Sequence, residues 1–284
     1  MTRLLAGILV VLLVALTSGC ELSEDDEMAQ RPKRTVTRSP APAVPTKVPV
    51  GQGKISPEAV VWAQDSTLHF GNRQVDVSPL NIDSFVVVPG GVYFLSRGEL
   101  WFTDLSRARG TGFMDVTRLT TTRDAGALRV EVAAGSGPAK VYAFDVGTGA
   151  SMPADEAVPA TDADLRGTRK RIMLRSGTND EASSETPVDV RLGPGSGGGY
   201  GVVGGDGGGL VVIDATTRRR VPLEDVTGTG FKLVRWQNRI AFFGIAMGEG
   251  GKPLAVMSCN LSSRSCTTSG EIDPDRSLVF ESAR

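Results

Sequence analysis

The chain has 284 residues, 31 basic and 32 acidic side chains, a formal net charge of −1 and a single histidine. That balance argues against nucleic acid as the main partner, which would want a basic footprint. One imidazole leaves few places for a metal centre or a Ser-His-Asp arrangement.

The N-terminus opens with Arg3 and then runs apolar from Leu4 to Leu16, 13 residues. A bilayer-spanning helix needs about 20 such residues. The run therefore suits the apolar region of a signal peptide, behind a short basic start. Thr17, Ser18, Gly19 and Cys20 follow. This segment resembles the lipobox of bacterial lipoproteins: Ser18 and Gly19 match its small residues, while Thr17 stands where that family usually has Leu. The resemblance implies removal of residues 1–19 and a diacylglyceryl thioether on Cys20, with further acylation (palmitate chemistry) on its amine. It also implies a place on the outer face of a cell membrane. Two or more acyl chains hold a protein firmly, whereas one holds it marginally.

Removing residues 1–19 leaves 30 basic and 32 acidic side chains, a net charge of −2. Residues 21–27 carry five acids, Glu21, Glu24, Asp25, Asp26 and Glu27. Pro32, Pro40, Pro42, Pro45 and Pro49 follow, with few large apolar residues. Such a stretch cannot bury enough surface to fold, so 20–54 reads as a disordered, semi-extended linker. Residues 55–284 then form one domain.

From residue 56 short apolar runs recur between Gly, Asp, Asn and Ser. They include Ala59–Ala63, Thr67–Phe70, Arg73–Val77, Phe85–Val88, Val92–Leu95, Glu99–Phe102, Val141–Phe144, Leu210–Ile213, Lys232–Trp236 and Ile240–Phe243. No window holds a helical stripe, so the domain reads as all-β. One pattern repeats: a strand ending in Asp or Asn, a short polar turn, then another strand. It ends at Asp104, Asp145, Asp214 and Asn260, at intervals of 41, 69 and 46 residues. An Asp or Asn suits such a turn because its side chain bonds the backbone two residues on. A four-stranded propeller blade takes about 40–50 residues. The long interval reads as a blade plus a polar, loop-like insertion within 150–200. Ser277–Phe280 is a lone strand that would complete the first blade and close the ring. Five blades are counted, or six if 165–191 hold a degenerate one. The repeats, above all Leu100-Trp-Phe-Thr-Asp104 and Val116-Thr-Arg-Leu-Thr120, resemble those of TolB-type and WD40-like β-propellers. That resemblance implies a binding platform.

Cys259 and Cys266 remain after Cys20. Oxidising compartments favour disulfides, and facing positions on a hairpin lie within bonding reach. A structural disulfide is expected, with a redox or metal pair as the alternative.

No catalytic constellation emerges. His69 lies in an alternating strand and reads as half-exposed. Gly193–Gly198 formally matches G-x-G-x-x-G but sits in a glycine tract with no helix after it. Gly204–Leu210, Asp162/Asp164 and Asp273/Asp275 fall short of a calcium loop, which needs six to eight oxygens. Trp62, Trp101 and Trp236 read as core residues. The expectation is a lipid-anchored, non-enzymatic binding or scaffolding module of the cell envelope with an envelope protein as partner, and neither cofactor, metal nor oligomeric state is assigned. Two alternatives stand beside it. One is a glycan hydrolase with carboxylates about 5–10 Å apart. The other is a solute-binding lipoprotein, although the usual two-lobed form needs alternating βα units.

Overall fold

The structure is a computed structural model. It describes residues 44–56, 59–71, 73–122, 124–159, 167–176, 184–194, 199–205 and 208–282. The segment read as a signal peptide, Cys20 and the first part of the segment read as a linker lie outside these residues.

The described chain is all-β apart from one 3-10 turn, Glu249–Gly251. The first blade holds β1 (Val61–Gln64), β2 (Thr67–Phe70) and β3 (Arg73–Asp76). The second holds β4 (Ser84–Val88), β5 (Gly91–Ser96), β6 (Glu99–Thr103) and β7 (Ala108–Gly110). The third holds β8 (Val116–Thr121), β9 (Ala127–Ala134), β10 (Gly137–Asp145) and β11 (Ser151–Met152). The fourth holds β12 (Thr168–Ser176), β13 (Ser184–Leu192), β14 (Tyr200–Gly205), β15 (Gly208–Asp214) and β16 (Arg219–Val221). The fifth holds β17 (Gly230–Trp236), β18 (Ala241–Met247), β19 (Pro253–Asn260) and β20 (Ser265–Glu271). Finally β21 (Leu278–Phe280) pairs with β1, Trp62 opposite Phe280, and completes the first blade. The expected five-bladed propeller, closed by its C-terminal strand, is the observed architecture. All the pairings between these strands are antiparallel, so hairpin turns carry most of the connections.

The turns follow the residue chemistry. Ser96 and Glu99 are partners across a two-residue loop whose Arg97 and Gly98 both have positive φ, 52° and 78°. The four repeating Asp or Asn residues do what the sequence pattern requires. Asp104 accepts from the Ser106 amide at 3.3 Å and Asp145 from the Thr148 amide at 2.7 Å. Asp214 accepts from Thr216 at 2.8 Å, and Asn260 from Ser262 at 2.8 Å. Hydrogen bonds from Ser106 and Thr148 hold the Asp104 and Asp145 carboxyls below the usual carboxylate range.

Apolar clusters join neighbouring blades. Val61, Ala63 and Leu68 of the first blade meet Phe85, Val87 and Phe94 of the second. Val86, Tyr93 and Phe102 of the second meet Leu119, Leu128 and Phe144 of the third. Val202 and Val212 of the fourth meet Phe231, Trp236 and Phe242 of the fifth. Trp62 and Phe280 of the first meet Phe243, Ile245 and Val256 of the fifth. Each fully buried Leu or Phe in these seams contributes about 1.5–3 kcal/mol relative to exposure. Among the described residues, no such cluster joins the third and fourth blades.

A polar latch adds to the ring closure. Glu281, one residue past β21, has a fully buried side chain. It accepts from the Val87 amide of β4 at 2.9 Å and from Arg235 of β17 at 2.5 Å. The Arg235 guanidinium also lies over the Phe243 ring at 5.2 Å. The Ser282 amide donates to the Phe85 carbonyl at 2.7 Å. Three blades are thus tied to the chain end.

Two expectations are corrected. The segment read as the end of the linker is docked from Thr46 onward. The Ser151 amide donates to the Thr46 carbonyl at 3.2 Å, and the Val48 amide to the Gly149 carbonyl at 2.9 Å. Tyr93 donates its hydroxyl to the Pro49 carbonyl, and the Ile55 amide donates to the Pro89 carbonyl at 3.0 Å. Val48 fills the seam between the second and third blades at 2% exposure, which the Pro-rich composition concealed. Gly51 permits the approach, because a Cβ there would sit 2.2 Å from the Gly90 carbonyl oxygen.

The second correction concerns 150–200. The expected polar insertion contains β12 and β13, nine residues each and fully paired from Thr168↔Leu192 to Ser176↔Ser184. This hairpin joins β14 and the rest of the fourth blade, so it is not a sixth blade. Its residues alternate: Ile172, Leu174 and Val190 are buried in one cluster while Arg169, Arg171 and Asp189 are exposed. A strand needs only one apolar face, and a charge-rich outer face masks that period in a hydrophobicity reading. β12 also comes back beside β16, so this blade curls around its own cluster. One further pair, Gly205↔Phe231, makes the fourth and fifth blades a continuous nine-stranded sheet.

Candidate ligand-binding cleft

The residues singled out from sequence do not assemble into one site. Cys20, Asp162, Asp164, Gly195–Gly198 and Asp206 lie outside the described residues. Cys259 and Cys266 stand opposite each other on β19 and β20 and form the expected disulfide, at 1% and 4% exposure.

His69 differs from the half-exposed strand residue expected. It is opposite Trp62 on the β1–β2 hairpin and stacks on the indole at 3.7 Å and 8°. Only 8% of it is exposed. Burial, and secondarily the Arg276 charge, pushes its pKa below the usual 6.5 and keeps the ring neutral. Trp62 and Trp236 are fully buried, and Trp101 packs partly buried against the first seam. Gly193 lies against the Trp236 ring, about 3.0 Å from a Cβ placed there. Asp273 accepts from the Asp275 amide at 3.1 Å, which accounts for that acid pair as a local turn. Among the described residues, no cluster of three His, Cys, Asp or Glu side chains is placed to hold a metal.

The site the structure does build was missed in the sequence. A cleft of about 640 Å³ opens between the β12–β13 hairpin, β14 and β17. Volumes of roughly 300–1,000 Å³ are usual for small-ligand sites. Arg169, Lys170 and Arg171 of β12, Asp189 and Arg191 of β13, and Lys232 of β17 line it. Val202 and Phe231, each at 1% exposure, lie beneath it as an apolar floor. Among the described residues, five cations and one carboxylate thus line the cleft. Arg171 takes that carboxylate, Nε to Oδ1 at 3.0 Å and a terminal amine to Oδ2 at 3.4 Å. The contact lowers the Asp189 pKa and raises that of Arg171, in each case first through the hydrogen bond.

The other cations have no such partner. Arg169 stands directly opposite Arg191 in the ladder, two residues from the Arg171–Asp189 pair. Like charges directly opposite destabilise a strand pair. Among the described residues, Arg169, Lys170, Arg191 and Lys232 carry no salt bridge. The cleft can therefore attract, orient and neutralise an anion. A signal was present in the sequence: the alternation in Pro187-Val-Asp-Val-Arg-Leu has the two-residue period of a strand.

No family model and no curated protein matches the chain. Among solved structures it is similar to one titled as the mitotic checkpoint complex, with 15% identity over 90% of this chain and 89% of that one, at a TM-score of 0.27. It is similar to U3-55K, with 9% identity over 80% of this chain and 84% of that one, at a TM-score of 0.26. It is also similar to hydrazine synthase of Kuenenia stuttgartiensis, with 11% identity over 73% of this chain and 52% of that one, at a TM-score of 0.21. At these scores no functional statement passes from those proteins to this chain, and the fold stands on its own sheets and registers.

Proposed function

We propose that this chain is an extracytoplasmic lipoprotein, held at a cell membrane by lipid on Cys20, whose propeller is a non-enzymatic binding module for an anionic partner or ligand. The observation that carries the binding reading is the cleft between β12–β13 and β17, where five cations meet one acid. A fold that carried such a cluster for no ligand would bear its self-repulsion without return. The anchoring rests on the lipobox-like run of Ser18, Gly19 and Cys20 behind the apolar Leu4–Leu16 segment. The acidic and Pro-rich stretch after Cys20 would then hold the propeller away from the bilayer.

The test joins two readouts in one cell. The full chain and a Cys20→Ala variant are labelled with an alkyne-bearing palmitate analogue, fractionated and crosslinked in place. The wild type should carry the label, sediment with membranes and enrich a reproducible envelope partner. The variant should lose the label and that enrichment. Labelling that survives Cys20→Ala would refute the anchor. Labelled, membrane-bound protein that enriches nothing above a detergent control would refute an envelope protein as the partner.

A further inference from the structure

The anionic preference of the cleft can be narrowed from the arrangement of its cations; this step rests on the binding-module reading above. Arg171 and Asp189 neutralise one another through two hydrogen bonds. What remains is Arg169 opposite Arg191 on the same hairpin face, and Lys232 on β17. A carboxylate brings one charge and two oxygens and saturates one guanidinium fork. Two adjacent forks and an ammonium call for a group with two charges and more acceptor oxygens. A phosphomonoester dianion has both. Arginine is also the side chain whose planar donors match phosphate, while lysine serves it as a point charge.

The size of the cleft adds a second constraint. About 640 Å³ is far more than one phosphate group fills. Val202, Phe231 and Leu233 line the cleft beside these cations. A ligand with a phosphate head and a carbon-bearing body would use both. We propose that the cleft binds an organic phosphomonoester, its phosphate held by Arg169, Arg191 and Lys232 and its body lying on Val202, Phe231 and Leu233.

Two sources offer this chemistry: a soluble phosphorylated metabolite or sugar, and the headgroup of an anionic lipid. The experiment separates them. The full chain in nonionic micelles is titrated calorimetrically with glycerol 3-phosphate and with dihexanoyl phosphatidic acid, with glutarate and dihexanoylphosphatidylcholine as controls. Saturable binding of a phosphomonoester is expected. It should weaken at least ten-fold in Arg169→Ala and in Arg191→Ala, and be lost in the double variant. Arg118→Ala, an exposed arginine of β8 outside the cleft, should bind as the wild type does. Circular dichroism melting of each variant should superimpose on that of the wild type, which excludes unfolding as the cause. The phosphate loses its second proton near pH 6, so affinity should fall as pH drops through about 6.

A preference of ten-fold or more for the phosphatidic acid assigns the ligand to the membrane. Equal or weaker binding assigns it to solution. No saturable binding of either phosphomonoester overturns the proposal, as does binding undiminished in the double variant. If glutarate binds through the same arginines and the phosphomonoesters do not, the phosphate assignment fails while the anion-binding module stands. If no anion binds but the crosslinked partner of the wild type persists, the cleft is not the site and the module reading survives elsewhere on the propeller.

Discussion

The second blade shares Val86, Tyr93 and Phe102 with Leu119, Leu128 and Phe144 of the third. The fourth blade encloses Ile172, Leu174, Val190 and Ile213 in a cluster of its own. The second blade packs on both faces, against the first and the third, and its inner strands are apolar at nearly every position: β5 is buried throughout, from Gly91 to Ser96. The fourth needs one apolar face only, and the other is free to carry Arg169, Arg171, Asp189 and Arg191. A blade that curls on itself thus releases a sheet face for a ligand, at the expense of a shared seam. Stability and binding are assigned to different blades, and substitutions should separate them.

The largest effect should come from the ring closure. Glu281→Ala leaves Arg235 buried without its partner and the Val87 amide without an acceptor. Breaking such a buried pair costs about 3–5 kcal/mol, measured as a lowered urea midpoint. Leu128→Ala, in the seam between the second and third blades, should cost about 2–5 kcal/mol in the same assay. If it cost no more than an exposed substitution, the shared seam would not be what holds these blades. Removing the Cys259–Cys266 disulfide by Cys266→Ser should cost about 2–3 kcal/mol, the loop-closure contribution for a ring of this size. Dithiothreitol should lower the wild-type midpoint to the same place and leave the variant unmoved.

A smaller effect concerns pH. His69 is stacked on Trp62 and held neutral, its folded pKa depressed below 6.5 by burial. The unfolded chain takes up the proton first on acidification. The contribution is therefore complete above pH 6.5 and is lost as pH falls from there through the lower folded value. The slope is at most about 1.4 kcal/mol per pH unit. The chain has no other histidine, so His69→Phe should flatten melting temperature between pH 6.5 and the carboxylate range. An unchanged slope in that variant would place the titrating group elsewhere. The smallest effect belongs to the charged face. Arg171 and Asp189 are largely exposed, at 71% and 76% of their side-chain surface. Asp189→Ala should leave the melting temperature unmoved, since exposed pairs contribute little. A marked drop would mean that the hairpin, too, is held by its charges.

The sequence by itself determined the class of fold, most strand positions and the turn chemistry. Thr67–Phe70 is both the expected and the observed strand, and β21 lies within the Ser277–Phe280 run expected to close the ring. Asp104, Asp145, Asp214 and Asn260 were legible because a turn residue acts on its own next few backbone amides. The cysteine pair was legible for a related reason: its members lie seven positions apart, within the span of one hairpin.

Only the tertiary structure decided the cleft, the latch and the docked strap. Arg191 and Lys232 lie 41 positions apart in the chain, Glu281 and Val87 194 apart. Their meeting depends on how blades are set around the ring, which no local period encodes. His69 makes the same point within one hairpin. Alternation placed it on a strand, but its burial came from Trp62 across the ladder and from the fifth blade packed against that tryptophan. Local pattern settles what each segment can become. Which faces are then covered depends on neighbours distant in the chain, because burial belongs to the assembled blades.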